Sequence, residues 1–240
     1  MRRVKFINKD KAQFANTLRK NVNDYFVNNG ISQKGNWQML LKAATMVFLY
    51  LGPFLLILLV PMPVWFIFPL SVIMGIGMAG LGMSVMHDAA HGSFSNVGWL
   101  NSFFSTSMYS IGGNSFNWKV QHNILHHTYT NIEGIDEDID PKGMLRLNAQ
   151  TPLKKVHRFQ YIYAFFLYCL MTLARTVNEF RQLNKYNKNG ITKQQGSSPG
   201  KEMFRLILSK AIYLFIILGL PLLLSAFSRS LILLNFVILH

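Results

Sequence analysis

Between Ala43 and Met86 the chain places forty-four consecutive residues without a single Asp, Glu, Lys or Arg. A helix needs about 20 apolar residues to cross the hydrocarbon core of a bilayer. The run therefore holds two membrane helices, over residues 43–60 and 64–86, with Pro61-Met62-Pro63 marking the turn between them. Gly75, Gly77, Gly80 and Gly82 in the second helix give it a small-residue face suited to close helix packing. Ala211–Ser228 is a third expected span, closed by a turn at Arg229. Ser230–His240 begins a fourth, but eleven residues of helix reach only about 16 Å. The expected fold class is an all-α membrane protein of two transmembrane hairpins, the fourth span truncated, with a cytoplasmic helical cap.

Composition supports that class: half of the 240 residues are hydrophobic and the mean hydropathy is +0.22. The net charge of +14 does not point to nucleic acid, because the cations flank apolar runs instead of forming one polar domain. That is the pattern of cytoplasmic segments beside anionic lipid headgroups, so the expected partner is a lipid bilayer. Residues 1–38 carry eight Lys or Arg against Asp10 and Asp24. They form a basic N-terminal segment ahead of a membrane domain over 39–240, and Phe6, Phe14, Leu18, Val22, Tyr25 and Phe26 suggest a surface helix. A solvated basic arm fits the same residues. The first forty residues hold no apolar stretch of signal-peptide type. The single cysteine, Cys169, excludes a disulfide framework and reads as a small apolar residue.

Two interior stretches are apolar but ill-suited to spanning. Trp99–Ile111 is broken by Asn101 and five Ser or Thr, which suggests an interfacial or re-entrant segment that returns the chain to its starting side. Phe159–Ala174 holds six aromatics but is followed by seven cations up to Arg205, so it reads as an interfacial helix. Asn187–Lys201, rich in Gly and Ser, reads as a flexible cytoplasmic loop.

The chemistry concentrates in Val85–Asp140, which holds five of the seven histidines. His87 and His91 are four apart, as are His122 and His126, so each pair shares one face of an α-helix. His127 would point about 100° away from His126 and serve a neighbouring metal. Five imidazoles without a thiolate are a metal-ligand set for iron, zinc or copper. Six of the ten acidic residues lie between Asp88 and Asp140. Asp88, Asp136 and Asp138 are candidates to accept the outer N–H of metal-bound imidazoles, and a solvated acidic loop is the plain alternative.

His87-Asp88-x-x-His91 followed by His122-x-x-x-His126-His127 resembles the first two histidine boxes of the membrane-bound fatty acid desaturases. The words HDAAHGSFS and NWKVQHNILHHTYTN look most like the acyl-lipid and acyl-CoA, linoleoyl-CoA Δ6-like branch. The resemblance implies an O₂-dependent oxidoreductase that inserts a double bond into a CoA- or lipid-linked acyl chain at a centre of two non-haem irons. His87, His91, His122, His126 and His127 would be its ligands. The glycine face of the second span would then offer room for an acyl chain. No haem-ligand motif accompanies the short basic segment, which implies a separate electron donor of ferredoxin or cytochrome b5 type. The implied location is a multi-pass protein of the bacterial inner membrane with the boxes and N-terminus cytoplasmic. The family carries a third box, HxxHH or QxxHH, and nothing after His127 matches it; His157 and His240 are isolated. The chain is accordingly expected to be the N-terminal part of a longer desaturase, and an inactive fragment is one outcome. A membrane di-iron hydroxylase shares the same boxes. An intramembrane zinc protease would need Glu where Asp88 stands. In a non-enzymatic haem or metal carrier, ligands belong near the bilayer midplane instead of at a span's end.

Overall fold

The computed structural model describes Val4, residues 13–140 and residues 143–240. Arg2, Arg3, Lys5, Phe6, Lys9 and Lys11 of the expected basic arm lie outside the described residues. No strand occurs among the described residues. Helix α1 (Gln13–Asn28) buries none of its side chains and exposes Phe14, Leu18, Val22 and Tyr25.

Among the described residues three helices are long and apolar enough to cross a membrane: α2 (Trp37–Leu59), α3 (Val64–Ala90) and, later in the chain, Pro199–Leu224. Asn36 caps α2 by accepting the Gln38 N–H. The turn through Pro61 and Pro63 reverses the chain, and α3 packs along α2 as a hairpin. Glycine decides the approach: a Cβ on Gly77 would lie 2.5 Å from the Tyr50 backbone N, and one on Gly80 would overlap the Met46 thioether. Gly75 faces open space. The glycine face is therefore largely filled by α2, which is packing and leaves little of it as a groove. Phe48, Leu51, Leu55, Leu59, Phe68, Val72 and Ile76 point outward, as expected of helices solvated by lipid.

After α3 come α4 (Gly98–Ser105) and a tighter helical segment, Thr106–Ile111. The Tyr50 hydroxyl donates to the Ser110 carbonyl at 2.6 Å, pinning this segment against α2. Gly112 ends it in the left-handed region (φ 78°), with the Tyr213 ring 2.7 Å from where a Cβ would sit, so only glycine fits. Helix α5 (residues 115–126) starts from Asn114, whose side chain accepts the Asn117 N–H at 2.9 Å. The stretch from α4 to α5 thus brings both histidine clusters to one end of α3.

The rest of the chain is α6 (Gln160–Cys169), α7 (Met171–Lys188), α8 (Pro199–Leu224) and α9 (Arg229–Leu239). Tyr161, Phe165, Phe166 and Tyr168 project outward from α6, where Cys169 is also exposed. The helix that holds the third expected span is not confined to 211–228: it runs from Pro199 to Leu224, because Ser198 caps it and Pro199 occupies its first turn. The polar first turns stay helical because Glu202 and Lys210 are buried in ion pairs with Arg205 and Glu179. Nor is 187–201 a flexible loop. Gly190 (φ 73°) ends α7, one helical turn follows over Ile191–Gln194, and Ile191 and Thr192 are buried, with Thr192 donating to Asn187 at 2.6 Å. The main core joins α2, α3, α8 and α9 through residues such as Tyr50, Met74, Val85, Tyr213 and Leu239.

Candidate metal centre

The first cluster sits where α3 emerges from its uncharged stretch. The helix widens to i→i+5 hydrogen bonding over Leu81–Met86 and then closes over His87–Ala90, with His91 as its last turn. Gly92 (φ 68°) breaks it, and the Ser93 and Phe94 N–H groups return to the Asp88 carbonyl. The His87 and His91 rings stand edge-to-face at 4.6 Å. His87 Nδ1 lies 3.4 Å from Asp88 Oδ1, and Lys42 Nζ lies 3.6 Å from Asp88 Oδ2.

The second cluster is carried by α5, which has the same wide winding over Lys119–His126. That winding corrects the expected direction of His127. Residues five apart are brought into register by i→i+5 bonding, so the His127 ring meets His122 edge-to-face, their Nε2 atoms 3.3 Å apart. His122 Nε2 is also 3.2 Å from His87 Nε2, which joins the two clusters. The His91 ring closes the group at 4.8 Å from His127 and 5.4 Å from His122. His126 stacks on the opposite face of this arrangement, 5.2 Å from His122 with planes 14° apart.

Carboxylates hold the outer nitrogens. His122 Nδ1–H donates to Asp138 Oδ2 at 2.8 Å, and His126 Nδ1–H donates to Asp136 at 3.0 Å. A carboxylate only accepts, so these bonds fix the tautomer and leave each Nε2 with its lone pair, that of His122 facing His87 and His127. Asp136 is itself anchored by the Asn131 and Asp138 N–H groups.

The sequence profile described as fatty acid desaturase matches residues 63–240. This chain belongs to the fatty acid desaturase family. It is similar to an sn-1 linoleoyl-lipid 6-desaturase of Synechocystis sp., 31% identical over 227 residues that cover 92% of this chain and 60% of that protein. A protein of the same name from Arthrospira platensis is 31% identical over 65% of this chain and 42% of its own length. An acyl-lipid (8-3)-desaturase B of Dictyostelium discoideum is 26% identical over 89% of this chain and 46% of its own. The chain thus spans about half the length of these curated relatives. No solved structure gives a significant match.

In this desaturase-family chain the site favours neutral imidazoles. Burial, and then the neighbouring His87, holds His91 below the ordinary histidine value; burial, and then His122, does the same for His127. Burial pushes Asp136 up, but the bonds from Asn131, His126 and Asp138 outweigh it and its carboxyl stays below the usual range. His87, His91 and His122 offer ligand atoms within 4.8 Å of one another, and so do His122, His126 and Asp138. The donor set fits iron: bare imidazole nitrogens face one another across one small space, where a shared cation relieves lone-pair repulsion. His157 lies apart, accepting the Lys154 N–H and facing the Gly143 carbonyl, and His240 meets Tyr213 and Phe236.

Several contributors carry no periodic signal that marks them in the sequence. The Trp118 ring packs 4.7 Å from His122 and 5.8 Å from His87, walling one side of the cluster. Gln121 donates to Asp138 at 2.6 Å and accepts from Gln182 at 2.6 Å. Glu137 accepts from Gln182, Lys185 and Tyr186. Only the acidity of the 133–140 segment hinted at this support.

Proposed function

We propose that this chain carries the first two ligand clusters of an acyl-lipid desaturase, with His87, His91, His122, His126 and His127 holding two iron ions. The observation that carries the proposal is the convergence of His87, His122 and His127 Nε2 atoms at 3.2–3.3 Å, from two helices, at the end of an uncharged span. Removing hydrogens from adjacent methylenes is beyond acid–base chemistry, and bound iron would supply the O₂-derived oxidant that the reaction needs. Over one cycle the acyl chain loses two hydrogens, and a separate electron donor of ferredoxin or cytochrome b5 type supplies two electrons. With two protons from water these reduce O₂ to two waters. The chain's own part is to keep the imidazoles neutral and aimed inward, through Asp136 and Asp138 and more loosely through Asp88. Trp118 excludes water from one flank.

The substrate class is an acyl chain on a lipid or CoA carrier, the lipid form being supported by the names of the relatives. The histidine clusters and the N-terminal segment would face the cytoplasm, supported by the cations of residues 175–205, with the bacterial inner membrane as the expected site. Residues 1–38 would be a surface segment and 39–240 the membrane domain, spanning as two hairpins, α2–α3 and α8–α9, under a cap of α4, α5 and α7. Elemental analysis of the detergent-purified protein tests the proposal, followed by a fatty-acid product assay with an electron donor present. Iron close to two per chain and a new double bond are expected. A hydroxylated product would make it a hydroxylase, and stoichiometric zinc from iron-replete cells would overturn it.

A further inference from the structure

Beyond the metal centre the chain gathers a second group of charged side chains, all of them cations. No Asp or Glu stands between residues 141 and 178. Arg146, Lys154, Lys155 and Arg158 line one open cavity of about 430 Å³, which Leu153 shares. None of the five clustered histidines lines it, and neither does Asp140, the nearest acid along the chain, which is exposed. Among the described residues none of the four cations is ion-paired. Like charges around one space repel one another, and a bound anion relieves that repulsion.

The cavity is held in shape by its own hydrogen bonds. The Arg146 N–H donates to Gln160 Oε1 at 2.9 Å, and Gln160 Nε2–H donates back to the Arg146 carbonyl at 3.3 Å. These two bonds tie the stretch to the first residue of α6. Arg146 Nε–H and Nη2–H donate to the Thr151 and Ala149 carbonyls at 2.9 and 2.7 Å, which orients the guanidinium and leaves its remaining donors for a ligand. Buried His157 accepts the Lys154 N–H at 3.1 Å and so fixes the turn that carries both lysines.

The neighbouring surface says what the anion is attached to. Tyr161, Phe165 and Phe166 on α6 are each more than two-thirds exposed, and Leu153 is three-quarters exposed beside the cations. Exposed aromatics on a surface helix sit at headgroup depth in a bilayer. A free phosphate would satisfy the cations and leave this apolar surface in water, whereas a phospholipid satisfies both. We propose that the Arg146–Lys154–Lys155–Arg158 cavity binds the headgroup phosphate of an acidic phospholipid, with α6 resting on its acyl chains. The planar guanidinium takes two phosphate oxygens at once, and the lysines add point charges. This is a defined site for one lipid per chain, and it does not depend on bound iron.

Native mass spectrometry of the detergent-purified chain tests the site. The probes are phosphatidylglycerol, diacylglycerol with the same acyl chains, inorganic phosphate and coenzyme A. Expected is one phosphatidylglycerol retained per chain, at least about tenfold more tightly than diacylglycerol. K155Q/R158Q leaves the bonds of Arg146 in place and should weaken that retention at least about tenfold. Equal retention of phosphatidylglycerol and diacylglycerol by the wild-type chain overturns the inference without any variant. So does equal retention of phosphatidylglycerol by wild type and K155Q/R158Q. Displacement of the lipid by an equal concentration of inorganic phosphate or coenzyme A also overturns it, and would make the cavity a site for soluble phosphate esters.

Discussion

Lys210 on α8 and Glu179 on α7 form an ion pair at 2.7 Å with both side chains buried. Glu179 also accepts the Asn114 N–H at 3.0 Å, its carbonyl accepts from Asn117 at 2.8 Å, and Lys210 donates to the Gly112 carbonyl. One buried pair thus fastens a membrane helix, a surface helix and the start of the helix that carries three histidines. Removing one partner strands the other charge, which costs about 3–5 kcal/mol. K210M should therefore melt markedly below wild type in detergent. E179Q/K210M, which strands no charge and keeps an acceptor for Asn114, should recover much of the loss in the same thermal scan.

Asp138 orients His122, so D138N should weaken metal binding by about 10–100-fold without unfolding the protein. Competition with a chelator, read as metal per chain, checks this. H157A is the control, since among the described residues the His157 side chain bonds to Lys154 and Gly143 and to no metal-centre group, and its metal content should stay at the wild-type level.

The hairpin of α2 and α3 is held close by one glycine more than another. G77L forces a side chain onto the Tyr50 backbone, an overpacking that costs about 1–3 kcal/mol or more. G75L meets open space. Thermal stability of the two variants should therefore separate clearly, with G75L near wild type; equal loss in both would refute the packing described for this face.

Burial pushes the Glu137 carboxyl up, but bonds from Lys185, Gln182 and Tyr186 outweigh it and hold it below the ordinary value of 4.5. The unfolded chain then binds more protons than the folded one in the window just below 4.5, so stability there rises with pH. The contribution is complete above that window and is lost as pH falls through it. Limited proteolysis of the α5–α7 contact between pH 6 and pH 3, on the order of that window, should show the loss. E137Q should flatten the dependence.

The two ends of the uncharged run, the proline turn and the identity of the five clustered histidines were all legible in the sequence. They rest on local signals: charge exclusion by lipid, proline geometry and ligand chemistry. The extent of α8 was not, because Lys201, Glu202, Arg205 and Lys210 look like the end of a span when their buried partners are unknown. The order of 187–201 was hidden for a related reason. Gly190 and Gly196 do adopt left-handed turns, but Ile191 and Thr192 are locked by α7 and by the second core cluster. The acidic segment announced itself by composition, yet which carboxylate meets which imidazole depended on how α5 is wound.

That winding has a consequence for how this stretch tolerates change in length. A wide turn is an α-helix carrying one residue too many, and each residue contributes about 100° of rotation. Deleting one non-histidine position within Lys119–His126, Asn123 for instance, would barely shorten the rod. It would instead return the turn to ordinary α winding, placing His127 four residues from His122 and still on the same face. For this segment phase, more than composition, is the inherited quantity: a single-codon gap is absorbed by the winding, whereas a further inserted residue would turn the cluster by about 100°.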